Sequence, residues 1–131
     1  MIKKKKKAII MLLCIMLFVL IGVKIVLKML VDDVNSITVS NPNIANITDG
    51  TYVGEYSAKP VYVKVEVLVT EHEITNVKII EHENGLGGKA EKIVDDVISK
   101  QSLEVDAVSG ATVSSRCIIK AIENALQNES K

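Results

Sequence analysis

Val61-Tyr62-Val63-Lys64-Val65-Glu66-Val67-Leu68-Val69-Thr70 sets a valine at every second position. Successive side chains of a strand point to opposite faces, so this run has one face of valines and one mixed face of Tyr62, Lys64, Glu66, Leu68 and Thr70. That pattern predicts an antiparallel strand with a covered side and a wet side. Working outward, Glu71-His72-Glu73 is a turn of undetermined type. Ile74 to His82 is expected to pair back with Thr75, Val77 and Ile79 on one face. Upstream, Asp49-Gly50 signals a turn, and Thr51 to Ser57 alternates with Tyr52, Gly54 and Tyr56 on one side. A glycine inside a strand weakens it and suggests a bulge or the close approach of another backbone or of a ligand; Gly54 fits each of these.

A sheet this small needs helices over one face. Ala90, Ile93, Val94, Val97, Ile98 and Gln101 fall on one helical face, with Glu91, Lys92, Asp95, Asp96 and Lys100 opposite. Cys117, Ile118, Ala121, Ile122, Ala125 and Leu126 form a second such face. The fold class is therefore α+β: a small antiparallel sheet packed by two helices. Between the helices, Gln101 to Val105 connects to Asp106-Ala107-Val108-Ser109-Gly110-Ala111-Thr112, a run of mostly small residues. Ser114 or Ser115 is the expected N-cap of the last helix. Thr112 then stands where a tight turn enters a helix, beside free amide donors and the positive end of the helix dipole, a place suited to phosphate.

The N-terminal segment is of another kind. Ala8 to Val23 has no charge, and continuing to Leu30 past Lys24 and Lys28 it reaches the roughly 20 residues that cross a bilayer core. The reading is a basic tail at 1–7, an anchor at 8–30, a polar tether at 31–47 and a domain at 48–131. The lysines at 3–7 orient the tail to the cytoplasm and place the domain outside the cell membrane. A cleaved signal peptide is the competing reading, but no Ala-x-Ala-like site follows the run. The zero net charge conceals segregation: +7 before residue 31, then 9 basic against 16 acidic residues, or −7. So acidic a domain argues against nucleic-acid binding. Cys14 and Cys117 fall on opposite sides of this division and form no disulfide framework. His72 and His82 lack a clustered third ligand, so no metal site is expected.

His82-Glu-Asn-Gly85-Leu86-Gly87-Gly88-Lys89 is a glycine-rich loop with neither the spacing nor the βαβ context of a dinucleotide fingerprint. Together with Asp-Gly-Thr-Tyr-x-Gly-Glu at 49–55 and Asp106-x-x-Ser109-Gly110-Ala111-Thr112, it resembles FMN-binding domains, as in the C subunit of sodium-pumping NADH:quinone oxidoreductase and the G subunit of the Rnf complex. The resemblance covers about residues 48–127. It implies FMN joined covalently, as a phosphoester, to the Thr112 hydroxyl by a flavin transferase that uses FAD and magnesium. It further implies that Leu86 and Gly87 border the isoalloxazine ring. On the residues themselves, Ser109, Gly110, Ala111 and Ser114 are candidate contacts to the phosphate. Asp106 orients the motif or meets the transferase, unless it is simply a solvated turn residue. With no Trp, and Phe18 in the anchor, Tyr52, Tyr56 and Tyr62 are the only aromatics left for the ring, which is expected to be partly exposed. Exposure suits an electron carrier rather than an enzyme that encloses a substrate. No catalytic residue is expected, and the redox partner, whether protein or quinone pathway, is not specified. The alternatives are a cofactor-free anchored binding module of the cell envelope and, behind it, a flavin reductase using exchangeable FMN.

Overall fold

A computed structural model describes residues 1–83 and 88–128, omitting the side chains at 30, 31 and 33–35. The chain divides into two units, residues 1–35 and 36–131. The first is one helix, α1 (Ile2–Asn35), about 50 Å long at 1.5 Å per residue. Its stretch Ile2–Met29 is long and apolar enough to cross a membrane.

The second unit is built on a three-stranded meander in the order β1 (Gly50–Ala58), β2 (Val61–Thr70), β3 (Glu73–Glu83), antiparallel throughout. As the alternation predicts, Val61, Val63, Val65, Val67 and Val69 are all buried. Burying each contributes about 1.5–3 kcal/mol. Two short helical pieces follow the sheet, a 3-10 turn (Gly88–Lys92) and α2 (Ile93–Lys100), and α3 (Thr112–Gln127) closes the fold. α3 packs across β1 and β2, and α2 packs beside β3. This is the expected α+β arrangement of an antiparallel sheet with two helices. The opposite face carries the exposed Val53, Leu68 and Ile80.

The β3 expectation needs correcting: Ile74, not Thr75, turns inward. A register shift between Leu68 and Val69 inserts Thr75 as an extra residue, leaving it exposed while Ile74, Val77 and Ile79 face the core. The turn before β3 places Glu71 and His72 at φ +54° and +59°. Two consecutive positive φ values in a two-residue hairpin mark a type I′ turn, normally the preserve of Asn-Gly. Asp49 makes it possible here, because its carboxylate accepts the Glu71 and His72 N–H groups at 2.9 and 3.0 Å. Those bonds hold the Asp49 carboxyl below its ordinary value of 3.8.

Gln101 departs from its expected place on the apolar face of α2. It ends the helix at φ +49°, and its amide accepts the Ile74 N–H at 2.7 Å and donates to the Ile74 carbonyl at 2.8 Å. The side chain thus replaces a missing strand at the start of β3. Within the stretch expected as a polar tether, Ile37, Ile44 and Ile47 are buried in the core. Thr38 accepts the Lys120 ammonium on its carbonyl at 2.9 Å. Lys120 also pairs at 2.8 Å with Glu123, which is buried in α3 and takes a second bond from Gln127.

Candidate functional site

Gly54 determines how α3 lies. A Cβ built at this position would collide with the Ala121 carbonyl oxygen and the Ala125 amide nitrogen, so the helix backbone rests directly on the strand. Of the roles open to Gly54, the structure shows close approach of a backbone. Asn124 reinforces the contact by donating to the Glu55 carbonyl at 2.9 Å, and the Cys117 thiol faces the Ala58 backbone nearer the end of β1. Burial pushes that thiol up to about 11. The helix therefore runs back along β1, with its first turn toward the β1–β2 connection and the far end of β3.

At that end the motif folds into a tight turn. The Ala111 N–H donates to the Val108 carbonyl at 2.9 Å, and Gly110, third in the turn, has φ +76°. This is the sign that a type II turn requires and that glycine adopts without strain. α3 starts at Thr112, with Ala111 as an N-cap that offers no side-chain acceptor. The expectation of a Ser114 or Ser115 cap is thus corrected, because both lie inside the helix and are buried. Ser115 instead braces the turn. Its Oγ accepts the Val108 N–H at 2.9 Å and donates to the Ala111 carbonyl at 2.8 Å, joining both ends of the turn to the helix.

Thr112, Gly110, Ser109 and Asp106 are exposed on the resulting projection, and Ala111 is buried beneath it. The structure thus brings Asp106, Ser109, Gly110, Ala111 and Thr112 together, while Ser114 points into the domain. Leu86 and Gly87 lie outside the described residues. Among the tyrosines, Tyr52 bonds the Thr48 carbonyl at 2.8 Å, near the opposite end of β1. Tyr62 bonds Glu55 Oε2 at 2.8 Å, and this bond raises its hydroxyl above the ordinary tyrosine value.

A sequence profile of the FMN-binding domain matches residues 57–127, more than half of the chain. The chain belongs to the FMN-binding domain family. No curated protein matches it. The family's cofactor carries a phosphate, and the first turn of α3 fits such a group: its cap supplies no acceptor, and its first turn contains no acid.

Two residues of this FMN-binding domain have roles that the sequence did not assign them. Ser115 was legible as a hydroxyl near the helix start, but its two bonds depend on the preceding turn. Lys89, from the 3-10 turn after β3, reaches across to Gly110, where its Nζ lies 2.7 Å from the position a Cβ would take. No spacing rule links positions so far apart in sequence; the fold alone brings them together. Beside the motif, Val105, Ala107, Ile119 and Arg116 help line a cleft of about 190 Å³. Larger grooves of about 380 and 530 Å³ lie around Gly54 and around Asn41 to Ala45, and no residue of the 106–112 motif lines them.

Proposed function

We propose that this FMN-binding domain is an extracytoplasmic electron carrier, tethered to the membrane by α1 and holding FMN through a phosphoester to the Thr112 hydroxyl. The observation that carries the reading is the exposed Thr112 at the uncapped start of α3, on a braced turn within the matched family. The basic run Lys3–Lys7 before the apolar helix supports the orientation.

Thr112 does not activate itself in this reading: among the described residues, no carboxylate or imidazole is hydrogen-bonded to its hydroxyl. A flavin transferase supplies the base and magnesium, and FAD is the donor. The Thr112 Oγ attacks the FMN-side phosphorus, an O–P bond forms, the pyrophosphate bond breaks, AMP leaves, and the hydroxyl proton passes to the transferase. What the chain contributes is presentation. Gly110 lets the turn close, Ser115 holds it to the helix, and the first amides of α3 offset the remaining phosphodiester charge by about 0.3–1 kcal/mol. The attached FMN supplies reversible electron uptake. A covalently held cofactor needs no deep enclosing pocket, and the modest cleft beside the motif is consistent with an accessible ring. The electron donor and acceptor are then other proteins or a quinone pathway.

Expressing the full chain with a flavin transferase tests the proposal. The expected product keeps flavin fluorescence on a denaturing gel, and Thr112→Ala abolishes that fluorescence. Fluorescence that survives in Thr112→Ala shows a different acceptor. A colourless wild-type chain makes the domain a cofactor-free binding module instead.

A further inference from the structure

We infer that Lys89 is a positioning residue for the cofactor phosphate, its ammonium contacting a phosphate oxygen on Thr112; the inference rests on the attachment proposed above. Lys89 is exposed, yet its Nζ lies 2.7 Å and its Cε 3.4 Å from the point where a Cβ of residue 110 would sit, so the ammonium lies against the turn. Position 110 is constrained by its φ of +76°, and its missing side chain leaves room for the ammonium to approach the turn. Thr112 lies two residues further along the chain, and the lysine ammonium sits on a flexible four-carbon stem.

The start of α3 itself carries no acid, although Asp106 stands on the same projection. Residues from 31 onward carry a net −7, yet Lys89 forms no salt bridge with any described residue. A cation held over the turn but committed to no carboxylate remains available to an anion. Lys92 is also exposed, sits in the same short 3-10 turn and serves as the internal control. Lys89 acts on both sides of the attachment step. Beforehand it draws the FAD pyrophosphate toward the Thr112 hydroxyl, and afterwards it pairs with the single charge of the phosphodiester. It forms no covalent bond and gives up no proton.

The test uses the full chain in detergent, a purified flavin transferase, FAD and magnesium, read first as the rate of single-turnover flavin incorporation and then by phosphorus NMR of the loaded protein. At low salt Lys89→Met is expected to slow incorporation about three- to fivefold, the effect of one exposed charge pair. Added salt narrows that difference by screening. Lys89→Arg retains the wild-type rate, and Lys92→Met matches wild type. In the loaded protein the phosphodiester resonance moves in Lys89→Met and not in Lys92→Met. Equal rates and resonances in the two Met variants overturn the inference while leaving attachment at Thr112 intact. A slower rate with an unmoved resonance also overturns it, making Lys89 a contact for the transferase. A wild-type chain that takes up no flavin removes the attachment proposal itself, and this inference with it.

Discussion

The exposed start of α3 and the remainder of the helix, which is packed on the sheet, have different relations to their surroundings. The remainder rests on β1 at Gly54, is tied by Asn124 to the Glu55 carbonyl, and buries Glu123 between Lys120 and Gln127. The start projects an exposed Thr112 from a turn with no side-chain cap, secured by the hydroxyl of Ser115. One helix thus serves as keel at one end and as presenting arm at the other. The arm can leave its first amides without a cap because the keel fixes the helix position. Under the proposed function, a fixed attachment point gives the cofactor what an exchangeable one obtains from an enclosing pocket.

If that division is right, damage to the keel reaches everything. Gly54→Val forces a side chain into the backbone of α3 at Ala121 and Ala125. Such overpacking is expected to cost about 3 kcal/mol or more and to lower Tm by over about 12 °C, read by calorimetry on the folded domain. A variant with wild-type Tm would show that the helix does not lie where described.

Damage to the arm should be more local. Ser115→Ala removes an acceptor from the Val108 N–H and a donor from the Ala111 carbonyl, at a cost of about 1–2 kcal/mol. Incorporation of flavin should slow more than the fall in Tm explains, because the turn loosens while Thr112 remains. Normal incorporation in a destabilised protein would reduce Ser115 to a packing residue.

The smallest expected effect lies away from both parts of α3, in the β2–β3 turn. Asp49 has a lowered carboxyl in the folded state, so its contribution is complete above the unfolded value of 3.8 and fades as pH falls through the lower folded value. Asp49→Ala should therefore melt below wild type at pH 7, and the difference in Tm should shrink as pH falls below 3.8 and through the lowered folded value. A difference in Tm that does not change with pH would mean that the carboxylate charge plays no part.

The same division explains what could be read from the sequence. The valine alternation of β2 and the apolar faces of α2 and α3 are periodic signals, and each led to the correct element. Thr112 at a helix mouth was equally legible, because a small-residue turn before an apolar helical face is a local pattern. Features fixed by partners distant in sequence were not. The Glu71-His72 turn depends on Asp49, the burial of Ile74 on a bulge, the capping of β3 on Gln101, and the cation over Gly110 on Lys89. Ile37, Ile44 and Ile47 were hidden within a polar stretch whose average composition suggested a free tether. Gly54 was read as a bulge or a site of close contact, and only the packing of α3 decided for a backbone.

The central claim is that one exposed hydroxyl on this arm carries the cofactor. Intact-mass spectrometry of the full chain purified from the membranes of its own host, followed by peptide mapping, tests it most directly. A single added FMN moiety is expected on the peptide containing Thr112, resistant to denaturation. An unmodified mass, or an adduct on any other peptide, would contradict it.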